Sequence, residues 1–260
     1  MLIAINGKIV PPEKATIDLS SDSIMFGVGV FETLRTYNQG QPFRLREHIV
    51  RLVNAANTIG IFINYSSEEI ANQVQQLILG TSHKYQRIKI VAFDQKLIIL
   101  SIPFTPDKSL KYGVQLISIQ QRRSLPEIKS TSYLDCLMSY RNAEKKGGYD
   151  ALLIDESNQV YEGSRSNVFW IKNGQLFTKK NQVLPGITRA IVINDLIQNT
   201  QFANTTLNNL LLADEIFITN SIIGICPVVK IDGYIVGSGK VGELTQSLMN
   251  RYSALINDSF

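Results

Sequence analysis

Three turn dipeptides constrain the fold of this chain more than any other feature of its sequence. Asn6-Gly7, Asn173-Gly174 and Asp232-Gly233 each lie between two apolar runs. Asn, Asp and Gly tolerate the positive φ that both central residues of a type I′ turn require. Each dipeptide therefore predicts a β-hairpin, and together they place antiparallel sheet near the beginning, the middle and the end of the chain.

Helix and strand patterns occupy the intervals between these turns. They follow one another without a regular β–α–β alternation, so they favour an α+β fold over a doubly wound sheet. Helices are predicted over residues 46–59, 67–79, 133–146 and 187–198. Strands are predicted over residues 87–93, 97–102, 114–118, 151–154, 167–171 and 215–219.

The segment from Thr105 to Lys111 is the best candidate for a linker, because it combines Pro106 with charged neighbours. A chain of 260 residues with 44% hydrophobic residues has enough apolar material for two modest cores. We therefore predict a smaller N-terminal α/β domain at residues 1–108 and a larger C-terminal domain at residues 109–260.

Composition and charge exclude several classes of protein. The net charge is only +4 and the basic residues are scattered, which argues against nucleic-acid binding. No stretch reaches the roughly 20 apolar residues of a membrane span. The two cysteines, Cys136 and Cys226, are isolated and the chain has two histidines, so zinc-type spacing is absent and no metal is predicted. Isolated thiols fit a reducing cytoplasm.

Three short segments contain residue types that one cofactor requires. They are Leu125 to Ser130, which contains Lys129, then Glu162 to Phe169, and then Leu184 to Arg189. Each alone has an ordinary interpretation, since a lysine is usually a solvated surface charge. Together they offer an amine that can condense with an aldehyde, a carboxylate for a pyridine nitrogen and a helix start for a phosphate. Pyridoxal phosphate (PLP) needs these three parts.

Several motifs in the same order resemble the class-IV aminotransferase family. Glu162 to Phe169 reads E-G-S-R-S-N-V-F, and Leu184 to Arg189 reads L-P-G-I-T-R, both close to the family signature. Phe26 to Thr33 resembles its F-G-D-G-x-[FY]-E segment, His48 to Leu52 its H-x-x-R-L, and Ala213 to Phe217 its A-D-E-[IVL]-F strand. The resemblance covers residues 3 to about 240 and implies the PLP fold-type IV architecture, which has a barrel-like C-terminal domain. It also implies a homodimer that acts on a small amino substrate.

The resemblance implies the residues that perform the chemistry. Lys129 holds the cofactor covalently and moves the proton, and Glu162 pairs with the pyridine nitrogen. Leu184 packs on one face of the ring, although a core leucine is an equally good interpretation. Tyr133, one helical turn after Lys129, is a further candidate to face the cofactor.

The resemblance also implies a phosphate site. Arg51 binds the phosphate with its guanidinium, where without the motif a helix-surface arginine would be the preferred interpretation. The backbone N–H groups of Ile187 and Thr188, with the Thr188 hydroxyl, complete the site. Ser221 matches a position that also reaches the phosphate.

The reaction itself stays open between two activities. Phe31 to Arg35 reads F-E-T-L-R, and Asn220 to Val228 reads N-S-I-I-G-I-C-P-V; both resemble 4-amino-4-deoxychorismate lyases. Val28 replaces a common Asp, and Phe31 replaces the tyrosine that D-amino-acid transaminases use near the substrate carboxylate. The basic loop of several relatives is missing after Phe93. We therefore favour the lyase, which releases pyruvate and p-aminobenzoate in folate biosynthesis, over a D-amino-acid or branched-chain transaminase. A catalytically inactive binding relative is the third hypothesis.

Overall fold

A computed structural model describes residues 1–38 and 40–260 of the chain. These residues form two compact units. Unit 1 contains Met1–Thr105, Ile128–Tyr133 and Ile256–Phe260, and unit 2 contains Pro106–Glu127 and Leu134–Leu255. Compact units need not fold independently, so the domain division at residue 108 stays a prediction. None of the helices in the described ranges is long and apolar enough to cross a membrane.

Unit 1 is built on one antiparallel sheet. Its strands are β1 (Leu2–Ile5), β2 (Lys8–Val10), β3 (Val30–Tyr37), β4 (Gln41–Pro42), β5 (Gln86–Phe93) and β6 (Lys96–Pro103). Its helices are α1 (Asp22–Met25), α2 (Leu45–Thr58) and α3 (Ser67–Leu79), with a 3₁₀ turn at Pro12–Lys14. Within the described residues the strand order is β2-β1-β6-β5-β3-β4, and each neighbouring pair is antiparallel.

The helices α2 and α3 cover one face of this sheet. The buried residues of α2 include Ile49, Leu52 and Ala56, which recur at helical spacing. They pack in one cluster with Leu34 of β3 and Ile88 of β5. At the start of α3, Ser66 and Glu69 form a capping box that supplies partners for two backbone N–H groups. The predicted helices at 46–59 and 67–79 are therefore present within one residue of their expected limits.

Unit 2 is built on a mixed sheet. Its strands are β7 (Val114–Gln120), β8 (Asp150–Ile154), β9 (Val160–Gly163), β10 (Asn167–Lys172), β11 (Gln175–Thr178), β12 (Gln201–Phe202), β13 (Glu215–Asn220), β14 (Gly224–Ile231) and β15 (Tyr234–Ile235). The helices are α4 (Leu134–Lys145), α5 (Ile187–Ile191), α6 (Leu207–Leu211) and α7 (Glu243–Asp258), which ends in unit 1, with a 3₁₀ helix at Lys108–Tyr112. The order in the described chain is β12-β11-β10-β13-β14-β7-β8-β9, with β15 beside β14.

All three predicted hairpins are present. In each turn both residues have positive φ: Asn6-Gly7 has 49° and 77°, Asn173-Gly174 has 50° and 73°, and Asp232-Gly233 has 52° and 83°. A further turn of this kind joins β5 to β6, where Asp94 and Gln95 have φ of 46° and 60°. The sequence did not predict that turn as type I′, because neither of its residues is glycine.

The helix predicted over 187–198 is present, but it changes type after Ile191 and ends two residues early. Regular α-helix ends at Ile191, a π turn follows over Val192–Leu196, and Ile197 is already extended. The wider turn changes which side chains face inward, so one helical period does not describe the whole segment.

A stacked aromatic pair lies at the centre of the sheet in unit 2. Phe217 on β13 is the direct register partner of Phe169 on β10. Their rings are stacked with centroids 4.9 Å apart, and both residues are fully buried.

We expect Phe217→Ala to lower the free energy of unfolding by about 3–5 kcal/mol, since it leaves a cavity in a packed core. Leu212→Ala is the control, because Leu212 is exposed; a change within about 0.5 kcal/mol is expected there. Urea unfolding monitored by circular dichroism measures both variants. A loss of less than about 1 kcal/mol for Phe217→Ala would contradict the importance of this pair.

Candidate active site

Lys129 lies on a segment that pairs with the edge of β3. The Phe31 N–H donates to the Lys129 carbonyl at 2.9 Å, and the Thr131 N–H donates to the Gly29 carbonyl at 2.8 Å. A Cβ on Gly29 would lie 2.6 Å from the Thr131 hydroxyl oxygen, so this close approach requires glycine. These hydrogen bonds therefore fix the backbone of Lys129 against β3.

The side chain of Lys129 lies beside the ring of Phe31, which two other side chains also contact. The Lys129 Nζ lies 4.6 Å from the ring centroid, and the Nζ of Lys89 lies 4.8 Å from it. Tyr133 contacts the same ring edge-on, with centroids 5.5 Å apart. Burial lowers the pKa of Lys89. Two amines and a phenol therefore converge on one aromatic side chain of β3.

Arg51 is paired with a buried carboxylate of β3. Its Nε donates to Glu32 Oε1 at 2.6 Å and its Nη2 to Glu32 Oε2 at 2.8 Å. His48 Nδ1 lies 2.7 Å from the same Oε2. The Glu32 pKa is lowered to about 2: burial alone would raise it, but the charges and hydrogen bonds of Arg51 and His48 outweigh burial. Arg51, the residue predicted to bind the phosphate, is therefore held in one orientation within unit 1.

Glu162, at the end of β9, accepts hydrogen bonds from three different groups in unit 2. Arg123 Nη1 donates to Oε1 at 3.0 Å, while the Leu184 N–H donates to Oε2 at 2.9 Å and Asn167 Nδ2 to the same oxygen at 3.3 Å. The side chain of Glu162 is only 4% exposed. Both carboxylate oxygens are thus fixed in direction, which suits a group that has to meet a ring nitrogen.

The turn that follows Glu162 is organised by the buried carboxylate of Asp150. The hydroxyl of Ser166 donates to Oδ2 at 2.8 Å, and the hydroxyl of Ser164 donates to Oδ1. A Cβ on Gly163 would clash with the Ser166 hydroxyl, so the motif needs glycine there. Burial raises the pKa of Asp150, against the effects of Arg165 and the two hydroxyls. The E-G-S-R-S motif therefore forms a turn whose two serine hydroxyls donate to the buried Asp150 carboxylate.

Asn167 connects the Glu162 carboxylate to the segment that leads into α5. Its Nδ2 donates to the Leu184 carbonyl at 2.8 Å as well as to Glu162. Gly186 precedes the helix, and a Cβ there would clash with Asn167 Oδ1. Thr188 is buried, whereas Leu184 and Ile187 are half-buried. Asn167 therefore links Glu162 directly to Leu184, three residues before the first residue of α5.

Ser221 lies in the turn after β13. Thr219, two residues earlier, is the register partner of Asn167, and its buried hydroxyl has no hydrogen-bond partner in the described residues. An unpartnered hydroxyl and a helix start without a side-chain cap can donate to a phosphate, and a fixed carboxylate can accept from a pyridine nitrogen, so together they fit a phosphorylated pyridine. The residues present therefore fit PLP.

The structure thus places the seven predicted cofactor residues in two groups. Lys129 and Arg51 belong to unit 1, where each is anchored to β3; Glu162, Leu184, Ile187, Thr188 and Ser221 belong to unit 2. Their individual roles stay predictions.

Four residues that contact these groups were not predicted as part of the site: Glu32, His48, Arg123 and Asn167. Arg123 stood among the scattered basic residues of the sequence, yet its side chain is only 11% exposed. The other three stood within quoted motifs, which was the only signal available.

An α+β chain with these two sheets, an edge-paired lysine and a fixed carboxylate beside a helix start defines a PLP enzyme of fold type IV. Sequence comparison agrees, since the model of the family described as amino-transferase class IV matches residues 29–231. The chain therefore belongs to the class-IV aminotransferase family.

Individual relatives show the same similarity. The D-alanine aminotransferase of Listeria monocytogenes is 30% identical over 272 residues, which cover 95% of this chain and 93% of the relative. The T.th. branched-chain amino acid aminotransferase with pyridoxamine 5'-phosphate superposes with a TM-score of 0.89 at 27% identity, covering 98% of this chain and 93% of that one. The branched-chain aminotransferase from Thermoproteus uzoniensis with norvaline gives 0.90 at 29% identity, covering 98% and 94%.

Proposed function

We propose that this protein is an amino-acid transaminase, which transfers an amino group from an amino acid to a 2-oxo acid. The observation that carries the proposal is full-length similarity to enzymes named D-alanine and branched-chain aminotransferases. This reverses the preference drawn from the short motifs. Matches over more than nine-tenths of the chain weigh more than two motifs of five and nine residues.

Lys129 and Glu162 are proposed to carry the proton chemistry. PLP, when bound, supplies a ring that accepts electrons from the substrate carbon. The amine of Lys129 takes the proton from that carbon and returns one to complete the transfer. Glu162 keeps its carboxylate directed at the ring nitrogen, because Arg123, Asn167 and Leu184 fix both of its oxygens.

The phosphate is proposed to bind to residues remote from the reacting carbon. Arg51 offers a charged guanidinium, Ile187 and Thr188 offer backbone N–H groups at the start of α5, and Ser221 offers a hydroxyl. Leu184 would contact one face of the ring. These residues bind and orient the cofactor, and they take no part in proton transfer.

4-Amino-4-deoxychorismate lyase is the second candidate. Its F-E-T-x-R and N-S-x-x-G-x-x-P-V motifs match here, and β5 and β6 are joined only by Asp94 and Gln95. That short turn leaves no room for the basic loop that several transaminases have at this place. A lyase expels pyruvate and needs no 2-oxo acid as acceptor.

Turnover with and without an acceptor separates the two activities. The PLP-loaded protein is given D-alanine or L-leucine with 2-oxoglutarate and, separately, aminodeoxychorismate without acceptor. We expect many turnovers to glutamate in the first assay and no pyruvate in the second. Sustained pyruvate release from aminodeoxychorismate, with no glutamate in the first assay, would establish the lyase instead. Activity in neither assay after PLP loading would favour the inactive binding relative.

We further propose a homodimer in the cytoplasm, which the family resemblance and the isolated thiols support. Light scattering after gel filtration measures the molar mass and so tests the homodimer. A mass near 29.1 kDa would be that of a monomer and would contradict the homodimer.

A further inference from the structure

A carboxylate with no exposure to solvent lies behind the proposed phosphate ligand. Glu32 is 0% exposed, and His48, which contacts it, is 1% exposed. Arg51, the third member of the group, has a side chain that is 12% exposed and therefore reaches the surface of unit 1. Arg51 therefore has the most exposed side chain of this Glu32–His48–Arg51 group.

Stability alone is a poor explanation for such a group. Removing charges from water offsets much of their attraction, and apolar residues of similar size often serve a core equally well. Leu34 on the same strand, only two residues away, is an ordinary core leucine. A buried carboxylate at this position therefore calls for a purpose that an apolar side chain does not serve.

The geometry of the pair suggests that purpose. Glu32 binds Arg51 side-on, with one oxygen on Nε and the other on Nη2. Two parallel hydrogen bonds fix the plane of the guanidinium as well as its position. The opposite edge, formed by Nη1 and the outer hydrogen of Nη2, then has one direction. His48 contacts the oxygen that accepts from Nη2 and thereby holds the carboxylate itself.

We propose that Glu32, held by His48, is a positioning residue that orients Arg51 towards the cofactor phosphate. The inference rests on the proposed role of Arg51 and adds to it a specific cause of its orientation. Because it has no exposure to solvent, Glu32 would act through Arg51 and not by touching the cofactor. Its low pKa keeps it ionised across the range in which the protein would work, so Arg51 is paired with a charged carboxylate throughout that range.

Positioning and simple charge neutralisation predict opposite results. Glu32 also cancels much of the positive charge of Arg51. If that were its main effect, Glu32→Gln would leave Arg51 more positive and the phosphate would bind more tightly. If Glu32 orients Arg51, the same variant frees the side chain to adopt other rotamers, and the phosphate binds less tightly.

The test compares PLP with pyridoxal, which lacks the phosphate. Each is titrated into the full-length protein and fixed onto Lys129 with borohydride, and the labelled fraction gives the affinity. We expect Glu32→Gln to weaken PLP about tenfold, which corresponds to about 1.4 kcal/mol, while pyridoxal is unchanged. The affinity ratio of PLP to pyridoxal isolates the phosphate from any general loss of structure. An unchanged or larger ratio overturns the proposal.

Matched variants separate this inference from the proposed site. Glu47→Gln removes an exposed ion pair with Arg44 from the same helix and is expected to leave the ratio unchanged. Arg51→Ala should lower the affinity ratio of PLP to pyridoxal at least as much as Glu32→Gln does. If Arg51→Ala retains the full ratio, the phosphate site itself is wrong. If Glu32→Gln retains the full ratio and Arg51→Ala does not, Arg51 binds the phosphate but Glu32 does not position it.

A third variant covers the case in which Glu32→Gln does not fold. His48→Leu keeps the Glu32–Arg51 pair and removes the polar atom that contacts Glu32 Oε2. We expect a smaller loss of the PLP-to-pyridoxal ratio, roughly threefold, as for a single hydrogen bond of below-average strength. An unchanged ratio in His48→Leu, with normal thermal unfolding, would then overturn the role assigned to the group.

Discussion

Lys129→Ala is expected to abolish turnover, with a loss of about 10⁴-fold or more, at the upper end of what a general base contributes. The variant also loses the amine that would hold the cofactor covalently. Borohydride treatment with PLP should therefore label the wild-type protein on the peptide that contains Lys129 and leave the variant unlabelled. Peptide mass spectrometry measures the adduct, and the amino-transfer assay measures turnover.

Lys89→Met is the matched control for this experiment. Lys89 places its amine 4.8 Å from the ring of Phe31, almost as close as the 4.6 Å of Lys129. It is also the other lysine at this ring, and burial lowers its pKa, which makes it the best alternative nucleophile. The adduct should stay on Lys129 in Lys89→Met. An adduct found on Lys89 in the wild-type protein would refute the assignment.

Glu162→Gln should reduce turnover by roughly 10²–10³-fold, the loss typical when one preorganised electrostatic contact to the reacting system is removed. An amide cannot hold a ring nitrogen protonated as a carboxylate does. PLP should still bind, because the phosphate ligands are unchanged. Steady-state turnover, together with the absorbance of bound PLP, measures the two effects separately.

The structure adds a second consequence of this substitution. Arg123, Asn167 and the Leu184 N–H all donate to Glu162, so the Nε2 of a glutamine would face a donor. A loss of about 1–3 kcal/mol in unfolding free energy is therefore expected as well. Glu156→Gln, in the exposed turn between β8 and β9, should change neither property. Near-normal turnover in Glu162→Gln would mean that Glu162 has another role.

Local signals in the sequence predicted local structure well. Asn-Gly and Asp-Gly turns carry their own conformational preference, so three hairpins could be placed from the dipeptides alone. The helix of 16 residues at α7 was missed, although its buried Leu248, Tyr252 and Ile256 recur every fourth residue. Polar residues between them masked that stripe. The π turn after Ile191 had no local signal, because its shape depends on what the segment packs against.

Residues of the site could be predicted only where they lie in, or in order with, a recognisable motif. Glu162, Thr188 and Arg51 stand in segments that resemble the family's motifs, and Lys129 was assigned from its residue type and its order relative to those segments. The Glu32–Arg51 pair joins residues 19 positions apart on a strand and a helix, and the Arg123–Glu162 pair joins residues 39 apart. Neither spacing has a periodic signature. Only the folded chain reveals which charges meet.

The alternation of side chains along β3 has a consequence for changing this enzyme by design. Phe31 meets Lys129 on one side of the strand, while its neighbour Glu32 meets Arg51 on the other. Successive residues of a strand point to opposite faces. Odd-numbered positions can therefore be varied without touching the Glu32–Arg51 pair, whereas even-numbered positions carry that pair and the core residue Leu34. A deletion of one residue in β3 would exchange the two faces, and selection should reject it almost without exception.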